Sequence, residues 1–301
     1  MLDIKQMEAF LWVATLKSFR KTAEHLRVSQ PAISSRISKL EDALRVKLLE
    51  RDKLNVALTP KGSELLPDVE KILRMVATLH EKAAAGSHLA GVLRLGVSET
   101  IVHTWLPRFL DRIDEQCPQV DVEIVVDITN NLRNELVNRS IDLAFLNGPV
   151  SETSIDNVFL CSFPVVLVAS PLLGIPATQE TDLEDLVRNR ILTHSRKTSV
   201  YEEVSKFFRD HSEQNARIVP SSSLATCKDM AINGIGIGTM PRPVVAEEIK
   251  DGRLVEINTD WRPSDLKYTA SFPIRPHYPI SDIAVQISSK VATEYQNQPT
   301  V

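Results

Sequence analysis

The chain has 301 residues, 43% of them hydrophobic and 25% charged, which is enough for two or three domains with cores of their own. No run approaches the ~18 uninterrupted apolar residues that suggest a membrane span. The net charge of −4 is uneven: residues 1–61 hold 12 basic and 7 acidic side chains, the remainder 23 and 32, so a basic front that suits a polyanion precedes an acidic body.

Asp3 can cap a first helix, with Gln6 as its capping-box partner, and Ile4, Met7, Phe10, Leu11 and Ala14 form the apolar face that Leu16 closes. A second helix runs from about Arg20 to Leu26, capped by Ser18 or Phe19. A third begins at Ser29, with Pro31 in its first turn, where a missing N–H costs nothing. Ile33, Ile37, Leu40 and Leu44 bury one face of that helix, and Gln30, Ser34, Ser35 and Ser38 occupy the other, flanked by Arg36 and Lys39. Short polar side chains with a few cations suit a helix lying in a major groove. An ordinary amphipathic hairpin on an enzyme surface has the same pattern; the regional charge favours the DNA-reading alternative. Residues 46–59 alternate loosely around Arg51 and Lys53 and predict a two-stranded wing whose cations meet phosphate or the minor groove, with plain solvation as the alternative.

Thr59 and Pro60 then open a long helix in which Leu65, Leu66, Val69, Ile72, Leu73, Val76, Leu79 and Ala83 recur at three- and four-residue steps. That seam suits the same helix of a second chain or the chain's own body, and Pro67 inside it should kink the helix. Residues 85–91 read as a hinge. From Val92 the pattern becomes strand–helix alternation, which predicts a parallel, doubly wound sheet. Strands are expected at 92–97, 120–128 and 141–146, with helices between them. Near Pro164–Ala169 the chain leaves this sheet to build another, and a return strand at 268–274 and a last helix at 283–295 rejoin the first. Two lobes joined by crossing strands leave a cleft for a small ligand.

Carried together, Phe10, Ser18-Phe19, Thr22-Ala23, Leu26, Ser29-Gln-Pro-Ala-Ile-Ser34, Ile37, Leu40-Glu41, Leu48-Leu-Glu-Arg51, Leu58-Thr-Pro60 and Gly62 form an ordered signature. Leu93-Arg-Leu-Gly96, Leu106-Pro107, Ile141-Asp-Leu-Ala-Phe145 and Gly234-Ile-Gly-Ile-Gly238 extend it over essentially the full length. In these residues the chain resembles the LysR-type transcriptional regulators. Arg45 stands where that family commonly has glycine, and Leu49 where it has phenylalanine.

The resemblance implies an α/β fold: a winged helix-turn-helix at 1–58, a dimerisation helix at 59–88, and a two-lobed effector domain, like periplasmic binding proteins, at 89–301. Lobe I takes in about 89–164 and 268–301, and lobe II about 165–267. It also implies a bacterial, cytoplasmic regulator, not an enzyme. Such a regulator would be a homodimer through Leu65, Val69, Ile72, Val76 and Leu79 that pairs into a tetramer, and it would bind double-stranded DNA and contact RNA polymerase. With Ser29 at the helix start, Gln30, Pro31, Ser34 and Ser35 would face bases, Arg51 and Lys53 would serve the wing, and Thr22 and Arg36 would touch phosphate.

For the effector, Ser98, Thr100, Thr129, Asn130, Asn147 and Gly148 follow lobe I strands, and His194 and Ser195 follow a lobe II strand. Hydroxyls and helix N-termini around one cleft favour a small organic anion; alternatively Ser98 and Thr129 only cap their helices. No cofactor is expected: the glycine run lacks dinucleotide spacing, and the histidines lack metal-ligand spacing. The widely separated Cys117, Cys161 and Cys227 suit a reducing cytoplasm and read as buried small hydrophobes, and no signal-peptide pattern opens the chain. The rival reading is a solute-binding or metabolic enzyme module with an accessory helical domain.

Overall fold

Asp3 accepts a hydrogen bond from the Lys5 N–H at 2.9 Å and so starts α1 (Ile4–Leu16). The expected return bond from Gln6 is not made, because its Oε1 is buried without a partner. The structure, a computed structural model, describes residues 2–51, 56–84, 90–175, 181–211, 215–274 and 279–297. Ser18 caps α2 (Phe19–His25) by accepting from the Lys21 N–H, and α3 (Gln30–Leu44) follows with Pro31 in its first turn. Ile33, Ile37 and Leu40 pack on Met7, Phe10, Val13 and Ala23, so three short helices bury one core that no two of them could close.

The C-cap of α3 is Arg45 at φ 57°, in the left-handed region, which explains why glycine suits this position. The strands β1 (Leu49–Arg51) and β2 (Val56–Leu58) then pair antiparallel, Leu49 opposite Leu58. Leu49 itself is buried in the same core, the use a larger apolar side chain would also have. Two polar residues fasten helix, wing and next helix together. The buried Glu41 carboxylate accepts from the Leu48 and Leu49 N–H groups at 2.9 and 3.3 Å and from Lys47 Nζ at 2.6 Å. Thr59 donates its hydroxyl to the Lys47 carbonyl at 2.7 Å and accepts from the Gly62 N–H at 2.9 Å, which starts α4 (Pro60–Ala84).

α4 continues through Pro67, whose ring nitrogen leaves the Ser63 carbonyl without its intrahelical donor. The expected seam is divided between two roles. Val69 is buried, and Leu65, Leu66 and Leu73 pack beside it, all on the winged core of their own chain. Ile72, Met75 and Leu79 remain outward, at 37%, 55% and 66% exposure. The first half of α4 is thus part of the N-terminal unit, which extends over Met1–Ser87 and leaves His88–Val301 as the second.

The second unit opens with β3 (Ala90–Val97), α5 (Glu99–Val102), α6 (Leu106–Gln116), β4 (Gln119–Val126), α7 (Thr129–Val137) and β5 (Leu143–Asn147). Next come β6 (Ile155–Phe163), β7 (Val165–Ala169), α8 (Leu183–Val187), β8 (Arg190–His194), α9 (Ser199–His211), β9 (Arg217–Ser221) and α10 (Leu224–Ile232). It ends with β10 (Ile237–Pro241), α11 (Ala246–Lys250), β11 (Val255–Glu256), β12 (Leu266–Pro273) and α12 (Pro279–Gln296). Two five-stranded sheets result, ordered β4-β3-β5-β12-β6 and β11-β7-β10-β8-β9. The chain crosses to the second sheet at Pro164 and returns in β12, at Leu266 instead of Tyr268.

Neither sheet is purely parallel. β3 pairs parallel with β4 and β5, but β12 runs antiparallel to β5 and β6, and β10 antiparallel to β7. Strand β6 was not foreseen, because Asp156, Asn157 and Ser162 interrupt its apolar run at an edge. The glycine run turns at Gly234 and Gly236 and enters β10 with Gly238: Gly234 has φ +70°, and a Cβ on Gly236 would overlap the Arg190 carbonyl oxygen.

These geometries set opposite expectations for two neighbouring positions. Arg45→Gly removes a left-handed penalty of about 1–2 kcal/mol and adds chain entropy costing about 0.5–1 kcal/mol, a net gain of up to about 1.5 kcal/mol. Gly62→Ala drives a Cβ into the Leu48 carbonyl oxygen and should lose about 1–3 kcal/mol. Urea unfolding of the two variants, followed by far-UV circular dichroism, measures both signs.

Candidate functional site

The N-terminal unit exposes the start of α3. Ser29, Gln30, Pro31 and Ser35 are exposed, Ser34 and Arg36 are half-buried, and the Ser29 hydroxyl makes no capping bond and so is available to an outside partner. Ser38 and Lys39 continue the exposed edge. Because Ile33, Ile37 and Leu40 fix the opposite face, the orientation of this polar edge is set by core packing.

Thr22 does not belong to this surface. It is 0% exposed, and its hydroxyl donates to the Ser18 carbonyl at 2.8 Å, one turn back in its own helix. Helical threonines can satisfy their hydroxyl on the carbonyl one turn back, and the sequence pattern carries no mark of it. The Arg51 backbone pairs with Val56 in the wing, and Lys53 lies outside the described residues.

In the second unit a cavity of about 760 Å3 lies between the two sheets, at the C-terminal ends of β3, β4, β5, β8 and β9. Ser98, Thr100, Thr129, Asn130, Asn147, His194 and Ser195 all line it. Gly148 does not; its N–H donates to the Lys267 carbonyl, and a Cβ there would collide with Thr269, so close packing is its role. Neither hydroxyl expected as a possible cap acts as one. Ser98 makes no capping bond, and Thr129 is the first residue of α7, after Ile128 in the cap position.

The sequence reading missed Glu99, which sits between two of its chosen residues. Glu99 lies on lobe I at the start of α5 and spans the cleft. Its carboxylate accepts from the Leu224 N–H at 2.7 Å, the Ala225 N–H at 3.1 Å and the Ser223 hydroxyl at 3.3 Å, all at the N-terminus of α10 on lobe II. His103 Nε2 stands 3.6 Å from the same carboxylate. At the start of α7, Asp127 Oδ1 accepts from the Ile128 N–H at 2.7 Å and from the Asn131 side chain at 2.9 Å. The chain's own Glu99 thus occupies the N-terminus of α10, and Asp127 the cap-position amide before α7. Asn130 also reaches the Lys197 carbonyl at 3.0 Å and Asn147 the Ser199 hydroxyl at 3.3 Å, so Glu99 is joined by two further lobe I side chains that bond lobe II among the described residues.

Two polar side chains against the cavity have no partner among the described residues. Both ring nitrogens of His194 are shielded from solvent without a hydrogen bond, and so is Ser98 Oγ, although His194 as a whole is only half-buried. Burial pulls the His194 pKa down to about 4, against the opposing pull of Glu99. Burial likewise pushes the Tyr268 phenol up, partly offset by a hydrogen bond with Thr100. All three cysteines are buried and free, and burial raises each thiol pKa, that of Cys161 to about 11, which disfavours the reactive thiolate. Among the described residues, no helix is long and apolar enough to cross a membrane.

Comparison with known proteins agrees with this division of labour. Residues 4–63 match the family described as bacterial regulatory helix-turn-helix protein, lysR family, and residues 86–275 match the LysR substrate binding domain. The transcriptional regulator BbuR of Bordetella bronchiseptica is 26% identical over 84% of this chain and 78% of its own length. CfxR of Cupriavidus necator is 28% identical over 84% and 80%. A full-length OxyR variant from Pseudomonas aeruginosa shares the fold at TM-score 0.70, with 23% identity and 99% of each chain covered. So does full-length CbnR complexed with its target DNA, at TM-score 0.70, 21% identity, and coverage of 96% and 99%.

The buried histidine sets a pH dependence. Its folded pKa of about 4 lies below the ordinary 6.5, so the neutral ring's stability is fully present above 6.5 and lost as pH falls toward 4. Between about pH 7.5 and about pH 5 the C-terminal unit should lose roughly 2 kcal/mol. Urea midpoints for wild type and His194→Gln at the two pH values test this, and an equal loss in both proteins would assign the effect elsewhere.

Proposed function

The chain belongs to the LysR family of bacterial helix-turn-helix regulators, whose members bind DNA to regulate transcription and are not enzymes, and we propose that α3 reads its operator through Gln30, Pro31, Ser34 and Ser35. The observation that carries the proposal is the exposed polar edge of α3, held on a closed core by Ile33, Ile37 and Leu40. Ser29 and Arg36 flank that edge, and Arg51 and Lys53 are assigned to the wing. One such helix reads only a few base pairs, so operator choice needs paired half-sites one or more helical turns apart.

Pairing is assigned to α4. Ile72, Met75 and Leu79 present an outward apolar row at helical spacing, and Val76 borders it. Two such dimers make the tetramer, which acts in the cytoplasm and contacts RNA polymerase. The cavity between the lobes takes a small organic effector, as the family's substrate-binding domain implies. Its binding changes the spacing of the reading heads on the promoter, the state-dependent contact that any allosteric coupling requires.

Mobility shifts on genomic fragments, with and without candidate metabolites, test the assignment as a whole; absence of sequence-preferring binding would end it. Within it, Gln30→Ala should cost about 1–3 kcal/mol on the operator and little on scrambled DNA. Arg36→Ala should weaken both DNAs alike and reduce the salt slope by about 1. Binding isotherms at several salt concentrations separate the two. Leu79→Glu should shift the protein to smaller species in sedimentation and lower operator affinity roughly a hundredfold through lost bivalency.

A further inference from the structure

The assignment of the interlobe cavity to an effector leaves the effector's chemistry open, and the side chains around it bear on that choice. Three carboxylates, Glu99, Asp127 and Glu202, line the cavity against one ammonium, Lys197, and no arginine is among its described lining residues. Sites built for carboxylate or phosphate commonly use the planar guanidinium fork or free helix N–H groups. Here the fork is missing among the described lining residues, and at α10 the N–H groups of Leu224 and Ala225 already bond Glu99. An anion at α10 would have to displace Glu99 or lie beside it, like charge against like.

The remaining features suit a ligand that brings donors. The His194 ring nitrogens and Ser98 Oγ are buried against the cavity without hydrogen-bond partners among the described residues. A neutral imidazole has one nitrogen that accepts and one that donates, so it takes an N–H or O–H from whatever occupies the site and offers its own N–H in return. His194 stays neutral at neutral pH because burial disfavours its charged form. Asp127 and Glu202 are exposed, which gives the mouth of the cavity an acidic rim that attracts cations from solution.

We propose that the effector is a small polar organic cation whose ammonium group sits among Asp127, Glu202 and Glu99, while its hydrogen-bonding groups meet His194 and Ser98. This rests on the interlobe cavity being the effector site. Lys197 is then the like charge that keeps the ammonium to the acidic side. An uncharged polyol would satisfy His194 and Ser98 but leave the acidic rim without a counterpart.

Three probes of one length and different charge decide the matter: butane-1,4-diamine, butane-1,4-diol and butanedioate. Each is added to the full chain at constant ionic strength, with thermal unfolding and titration calorimetry as readouts and operator binding measured in parallel. The diamine should raise the unfolding temperature, and the diol and dicarboxylate should not. The variant carrying Asp127→Asn and Glu202→Gln, both at exposed positions, should bind the diamine roughly fivefold more weakly and keep its operator preference. Stabilisation by the dicarboxylate, by the diol alone or by none of the three overturns the proposal, as does unchanged diamine affinity in the variant. Loss of operator preference in the wild-type chain is a separate result, and it would fall on the regulator assignment instead.

Discussion

Glu41 is a charged side chain placed where charge is costly, between the recognition helix and the wing. It is tolerated because three donors meet its carboxylate: the Leu48 and Leu49 amides and the Lys47 ammonium. Burial alone would raise its pKa, yet these bonds outweigh burial and leave it below the usual carboxylate range. The same stretch of backbone is held from the other side by Thr59, and Gly62 lets the start of α4 approach it closely. The pitch of the recognition helix, the position of the wing and the starting point of α4 are thus consequences of one knot of polar contacts. An apolar core could fill this volume, but it would not fix which amide faces which group.

Much of the N-terminal unit was legible because its elements carry local signals. Ser18, Ser29 with Pro31, and Thr59 with Pro60 mark helix starts, and the spacing of Ile33, Ile37 and Leu40 marks the buried face. What failed there was tertiary. A heptad pattern says that Val69 is buried but not by what, and its partner is the chain's own winged core. Thr22 looked like a surface hydroxyl because nothing in a one-dimensional pattern distinguishes a hydroxyl turned to phosphate from one turned to its own helix.

The cleft was legible at the level of strand ends. Seven of the eight residues chosen there line the cavity, since open α/β sheets place ligands beyond the carboxyl ends of their strands. Gly148 failed because its contact is with Thr269, distant in sequence. Glu99 was passed over because its meaning lies in residues 124 to 126 positions away. Strand β6 was missed for a related reason: an edge strand with polar interruptions acquires its structure from β12, not from its own pattern.

Glu99 has a consequence for selectivity against the surrounding metabolite pool. A tethered carboxylate competes for the α10 amides as an intramolecular group, at an effective concentration on the order of millimolar or higher. A free organic acid would have to exceed that level to displace Glu99 from the α10 amides. The chain carries its own reference compound, and a true signal has to do something other than imitate it.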